Sequence, residues 1–305
     1  ASGAPLFSGI ISGVIGGIVV GFLSKSHISV SGPAAGLTAI VLAAITDLGA
    51  YEVFLTAVII AGLLQLILGF LKAGSISNYF PTNVIEGMLA GIGIIIFLKQ
   101  IPHAVGYDKV SEGDTSFFEK GGSNMLETIV DSFNYINYGS IIITAIAIVI
   151  LIVWNKITFL KNLKLVPAAL IAVISGIIIN EIFIRTGSSL QVSKDHLVAL
   201  PVPASIEEFK AMFVLPDLTI ETLTNSKVWV VGVTIAIVAS IETLLCIEAA
   251  DRMDPHKRFT NTNVELKAQG IGNLLSGLIG GLPMTSVVVR SSANANAGAQ
   301  TKSST

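Results

Sequence analysis

Two ionisable residues sit where a chain this apolar should not carry charge. Arg290 lies in GGLPMTSVVVRSSANANAGAQ, residues 280–300, and Glu242 interrupts the apolar run at residues 228–250. A charge at membrane depth costs about 2.5–3.5 kcal/mol on insertion scales, so its presence is a functional signal. The chemistry open to the arginine is anion binding. Gly-Gly-Leu-Pro ends any preceding helix, and Thr285 and Ser286 are good N-caps ahead of three valines. The pattern predicts a short helix starting inside the membrane, whose unpaired N–H groups would add to the guanidinium. Glu242 offers two roles. It can form an ion pair with Arg290, or it can take up a proton or cation and leave the pocket one charge more positive.

The elements that must position these groups are membrane spans. Hydrophobic residues make up 52% of the chain and charged ones 12%, with a mean hydropathy of +0.79. A soluble domain carries roughly 25% charged residues, so the lipid bilayer is the expected surrounding. The formal net charge of −2 argues against a nucleic-acid partner. A single cysteine, Cys246, excludes a disulfide framework. His27, His103, His196 and His256 are scattered through predicted links and form no metal-ligand spacing, and no nucleophile–base pair points to an enzyme. The chain starts at Ala1 and stops at Thr305 inside a helix-like sequence, so part of a longer protein is expected.

Spans are predicted at residues 5–24, 51–71, 81–98, 141–154, 166–184 and 228–250, and an amphipathic helix at 263–279. Polar loops at 103–136 and 185–227 separate them, the first with Asp108, Lys109, Glu112, Asp114, Glu119 and Lys120. Short basic links hold Lys25, Lys72, Lys156, Lys161, Lys164 and the Arg252–Arg258 group; if the spans alternate, these fall on one side, the cytoplasmic one. One segment breaks the pattern. After SVSGP only about fourteen apolar residues precede Asp47, too short at ~1.5 Å per residue to cross ~30 Å of hydrocarbon. It reads as a half-helix over residues 33–47, with Pro33 in its first turn. Its counterpart at residues 286–297 runs the opposite way, and paired broken helices point to a transporter site. Glu265, Lys267 and Gln269 read as structural, Asn294 and Asn296 as bonds between helices, and Cys246 as a small buried residue.

The run TNTNVELKAQGIGNLLSGLIGGLPMTSVVVRSSANANAGAQTKSS, with SGPAAG at residues 31–36, resembles the SulP family of anion transporters (solute carrier family 26). The resemblance covers essentially the whole chain. It implies an all-α membrane fold of seven plus seven inverted segments, here about segments two to ten, with a core domain moving against a gate domain. Residues 1–184 would be the rest of the first repeat and 228–305 the start of the second, without the cytoplasmic STAS domain. The resemblance also implies an anion seat made by backbone near Ala34, Ala35, Gly36, Ser286, Val287 and Val288, with Arg290 tuning its charge. Glu242 would be the coupling-ion residue, for H+ or Na+. Cys246 stands where sodium-coupled members have a hydroxyl, and those members lack an arginine at position 290. The implied function is secondary transport of a small inorganic oxyanion such as sulfate or bicarbonate in the cell membrane, of the bacterial inner-membrane type; relatives often form homodimers. A nucleobase carrier and a non-transporting sensor or channel on the same scaffold are the alternatives.

Overall fold

The structure, a computed structural model, describes residues 2–79, 82–107, 125–157, 168–192 and 202–305. Pro81, the Asp108–Lys120 charges, Lys161, Lys164 and His196 therefore lie outside the described residues. The described elements are almost all helical: α1 (Leu6–Leu23), α2 (Thr38–Leu48), α3 (Tyr51–Phe70), α4 (Thr82–Ala104), α5 (Met125–Ser132), α6 (Tyr138–Lys156), α7 (Ala168–Arg185), α8 (Ile206–Ala211), α9 (Ile220–Thr224), α10 (Ser226–Met253), α11 (Thr262–Leu278) and α12 (Val288–Asn296). Two three-residue strands, β1 (Ser31–Pro33) and β2 (Met284–Ser286), form the sheet. Among the described residues α1, α3, α7 and α10 are long and apolar enough to cross a membrane.

The chain divides into two compact units, Ala1–Ala90 with Leu200–Thr305, and Gly91–Ala199. In the first, α3 and α11 are the most intimately packed pair. Their contact is made by glycines. A Cβ on Gly62 would lie 2.5 Å from the Leu274 amide nitrogen, and one on Gly270 2.7 Å from that of Leu66. Without lipid-phase hydrophobic force between helices, such close approach supplies the packing energy. Phe54 and Val58 of α3, Leu37 and Val41 around the first half-helix, and Ile235 and Ala239 of α10 form the core beside it.

In the second unit α6 packs on α7. Asn137 begins α6, its Oδ1 accepting from the Gly139 and Ser140 amides at 2.9 and 3.1 Å. Asn180, buried on α7, accepts from the Val192 amide at 2.9 Å. Its predicted polar loop opens with more helix than expected: α4 runs on through Pro102, placing His103 in its last turn rather than in a link. A proline so near the end disturbs only one turn. Further on, α5 occupies part of the same loop.

Candidate functional site

The half-helices exist, but neither starts as its capping residues predicted. Pro33 is not in a first helical turn. It closes β1, which pairs antiparallel with β2 in the register Ser31 to Ser286, Gly32 to Thr285 and Pro33 to Met284. A 3-10 turn, Ala35–Leu37, then leads into α2, so Ala34, Ala35 and Gly36 form its approach. Thr285 and Ser286 are likewise strand residues rather than N-caps. The Ser286 hydroxyl is 2.5 Å from that of Ser29, and Thr285 Oγ1 donates to the Ser286 carbonyl at 3.1 Å. The N-cap of α12 is Val287, with no side-chain cap; its own amide donates to the Val30 carbonyl at 2.9 Å. The Ser286 hydroxyl is taken up by Ser29 and that of Thr285 within its own strand, so neither caps α12, and the Val288 amide meets Cys246 instead.

Antiparallel pairing gives the crossing its electrostatics. The chain leaves β1 and β2 at opposite ends of the sheet and enters a helix each time, so two helix N-termini abut one small platform. Each terminus carries roughly half a positive charge. Helix α10 runs beside both, its Ala239 packed in the core of the first and its Ala249 against Val288 of the second. Glu242 and Cys246 lie one turn apart on it. A Cβ on Gly36 would be 3.0 and 3.1 Å from the two Glu242 carboxylate oxygens, so that carboxylate faces the start of the first half-helix. Cys246 is buried against Val288 at the start of the second.

Arg290 takes the other side. Its Nη1 occupies the space a Cβ on Gly32 would fill, laying the guanidinium across β1. Arg290 and Glu242 are not ion-paired: the ion pairs among the described residues are Arg185–Glu181, Arg252–Glu248 and Arg258–Asp254. One reaches over Gly32 and the other over Gly36, a turn further along. Both remain open to solvent in part, Arg290 the more exposed. Ser286 and Val288 are buried, Val287 half-buried, Ala34 buried and Gly36 exposed.

Sequence reasoning missed what aligns this crossing. A polar stripe on α11, Glu265, Gln269, Asn273 and Ser276, is wholly buried. Asn273 acts as a surrogate third strand: Oδ1 accepts from the Met284 amide at 2.7 Å, and Nδ2 donates to the Met284 carbonyl at 3.0 Å and to Gln65 Oε1 at 2.6 Å. Gln269 Nε2 donates to Ser31 Oγ at 2.6 Å, and Ser276 Oγ to the Leu282 carbonyl at 2.7 Å. The i, i+4, i+8 spacing was visible, and only its burial was not. Asn294 does bond across elements, its Nδ2 donating to the Ile28 carbonyl at 3.0 Å. Asn296 reaches only Ser292, on its own helix.

The sulfate permease family profile matches residues 1–305, from one end of the chain to the other. The chain belongs to the sulfate permease family. It is 29% identical to the putative sulfate transporter YvdB of Bacillus subtilis over 98% of this chain and 52% of that protein. With the bicarbonate transporter BicA of Synechocystis the identity is 27%, covering 89% of this chain and 44% of the relative. The chain thus spans about half the length of these relatives. Among solved structures, the transmembrane domain of a cyanobacterial bicarbonate transporter BicA superposes with a TM-score of 0.63 at 24% identity, over 99% of this chain and 72% of that one. The structure of SLC26A9 gives 0.58 at 17%, over 99% and 48%. The chain has the fold of these carriers and is a multi-pass membrane protein; its relatives are transporters, not enzymes.

Proposed function

We propose that the crossing of β1 and β2 is the substrate seat of a secondary active transporter for small inorganic oxyanions of the sulfate or bicarbonate type. The observation that carries this reading is the pair of helix N-termini set against one platform, with Arg290 laid across it. Two half-charges from the helices and one from the guanidinium suit a mono- or divalent oxyanion. Relatives named as sulfate and bicarbonate transporters support the substrate class. The antiparallel pairing of the two junctions supports an inverted repeat, and a rocking of the unit that holds the crossing would give alternating access.

Glu242 supplies the coupling. Its carboxylate faces Gly36 without an ion-pair partner among the described residues, so an external ion can neutralise it. Cys246 in place of a hydroxyl favours the proton over sodium, which prefers hard oxygen ligands. Neutralising Glu242 removes a negative charge beside the anion seat, so proton and oxyanion enter together. Reconstitution of the complete protein in liposomes tests this. Sulfate uptake should rise with an inward proton gradient and be competed by bicarbonate. Uptake indifferent to that gradient would remove the coupling assignment, and no uptake or binding of either anion would remove the transport reading.

A further inference from the structure

Glu265 is buried on every side, 0% exposed, yet its hydrogen-bond partners are neutral. Its Oε2 accepts from Ser24 Oγ at 2.5 Å and its Oε1 from Gln269 Nε2 at 3.0 Å. No lysine, arginine or histidine among the described residues forms an ion pair with it. The cations around it are engaged elsewhere or turned outward: Arg252 bonds Glu248, Arg258 bonds Asp254, Lys267 lies over the Phe70 ring, and Lys25 is exposed. His27 is half-buried in the link after α1. From α10 the group that acts on Glu265 is a second acid, Asp251, held by the Thr260 amide and hydroxyl at 2.6 Å each. The stretch of α3 packed here, Gly69 and Phe70, carries no charge.

An ionised carboxylate in that position would be desolvated, unpaired and beside another negative charge, an arrangement several kcal/mol unfavourable. A proton on Oε2, donated to Ser24 Oγ with the direction of that hydrogen bond reversed, removes the conflict. The same Gln269 amide that donates to Glu265 also donates to Ser31 Oγ, and its Oε1 is buried with no partner. Ser31 opens β1 opposite Ser286. We propose that Glu265 is a second proton-binding site, separate from Glu242, which holds its proton in the resting protein and so steadies the strand crossing through Gln269 and Ser31. On deprotonation the carboxylate binds the Gln269 amide more strongly, because hydrogen bonds to ionised acceptors are the stronger ones, and the tie to Ser31 loosens. The consequence for transport rests on the crossing being the anion seat; the proton site itself does not.

Infrared spectroscopy of the complete, purified protein near neutral pH reads the site without any anion. The carboxylic-acid C=O stretch should include a component absent in Glu265→Gln and retained in Glu242→Gln. Identical spectra for wild type and Glu265→Gln would overturn the proposal. Thermal stability gives a second reading. A carboxyl kept protonated in the fold stabilises below its ordinary range, about 4.3, and that stabilisation is lost as pH rises. The wild-type midpoint should therefore fall relative to Glu265→Gln on going from acid to neutral pH, and parallel curves would count against the site. A Glu265→Gln protein that fails to fold while Glu265→Asp folds would show that a charged carboxylate is required, and would also overturn it. Absence of anion transport with the infrared component present would reject the transport reading and leave the proton site standing.

Discussion

The two junctions of the crossing look alike in outline and differ in what each presents. Both run strand, short lead, helix. The first, Ser31–Leu48, has no charged side chain before Asp47 and is faced from outside by Glu242. The second, Met284–Asn296, carries its own cation, Arg290, and is held by Asn273 at one end. One junction offers backbone and borrows an acid. Its mirror brings the positive charge and is fixed in register by an amide. The two glycines of the first junction are the mark of this division: Gly32 makes room for the arginine of the second, and Gly36 for the glutamate of α10.

The largest expected effect comes from releasing the second junction. Asn273→Leu leaves the Met284 N–H, the Met284 carbonyl and Gln65 Oε1 buried without these partners, at about 1–3 kcal/mol each. Thermal unfolding should show a loss of at least ~3 kcal/mol or no folded protein at all. Gln269→Leu, which frees only Ser31 Oγ and Glu265 on the first side, should cost less. If the two substitutions destabilise equally, the asymmetry between the junctions is wrong.

Next comes the contact that joins them. In Gly32→Ala the new Cβ would occupy the place of Arg290 Nη1, so the guanidinium must leave the platform. Anion affinity should fall about tenfold, ~1.4 kcal/mol. Arg290→Ala should lose as much or more, and the double variant should be no worse than Arg290→Ala alone, since both remove one interaction. Additive losses would show that Gly32 acts on something other than the arginine. Gly36→Ala is the milder counterpart. Its Cβ meets the far end of a flexible side chain at 3.0 Å, so Glu242 gives way at little cost. The dependence of uptake on the proton gradient should shift while anion affinity stays within about threefold. An affinity loss as large as that of Gly32→Ala would erase the distinction between the two glycines.

How much of this was legible follows from what each residue needs. Both half-helices and the long apolar helices α1, α3, α7 and α10 were readable, and Arg290 and Glu242 stood out, because Pro, Gly, apolar runs and lone charges are local signals. The strands were not. The three residues of β1 and the three of β2 become a sheet only against each other, 251 to 255 positions apart in register, and nothing in SGP or MTS alone specifies it. Ser and Thr were read as N-caps because a local rule favours them there, whereas the long-range partners Ser29 and Ser286 had the stronger claim. The Arg290–Glu242 ion pair, one of the two roles open to Glu242 in the sequence, is not formed for a related reason. Opposite charges in sequence imply nothing about facing directions, and each of these is aimed at a different glycine.

The smallest effect lies at the far ends of the two half-helices. The first ends at Gly49 in a left-handed turn (φ 77°) with its amide bonded to the Ile45 carbonyl and no ion pair. Beyond the second, Arg258 Nη1 donates to the Gln300 carbonyl at 2.8 Å while its Nε and Nη2 hold Asp254 at 2.6 and 2.9 Å. The Arg258 guanidinium, with the His256 and Arg258 amides, keeps the Asp254 carboxyl well below the usual carboxylate range. Such a group stabilises the fold above its ordinary value of about 3.9 and loses that contribution as pH falls below it. Acid should therefore destabilise wild type more than Asp254→Asn, which starts from a lower neutral-pH midpoint and has no charge left to lose. Because the pair bears on the second half-helix only through one carbonyl at its distal side, neutral-pH anion affinity should barely move. A clear affinity loss in Asp254→Asn would mean that the second junction is positioned from its C-terminal side as well as by Asn273, and that its fixity is distributed rather than concentrated at the strand.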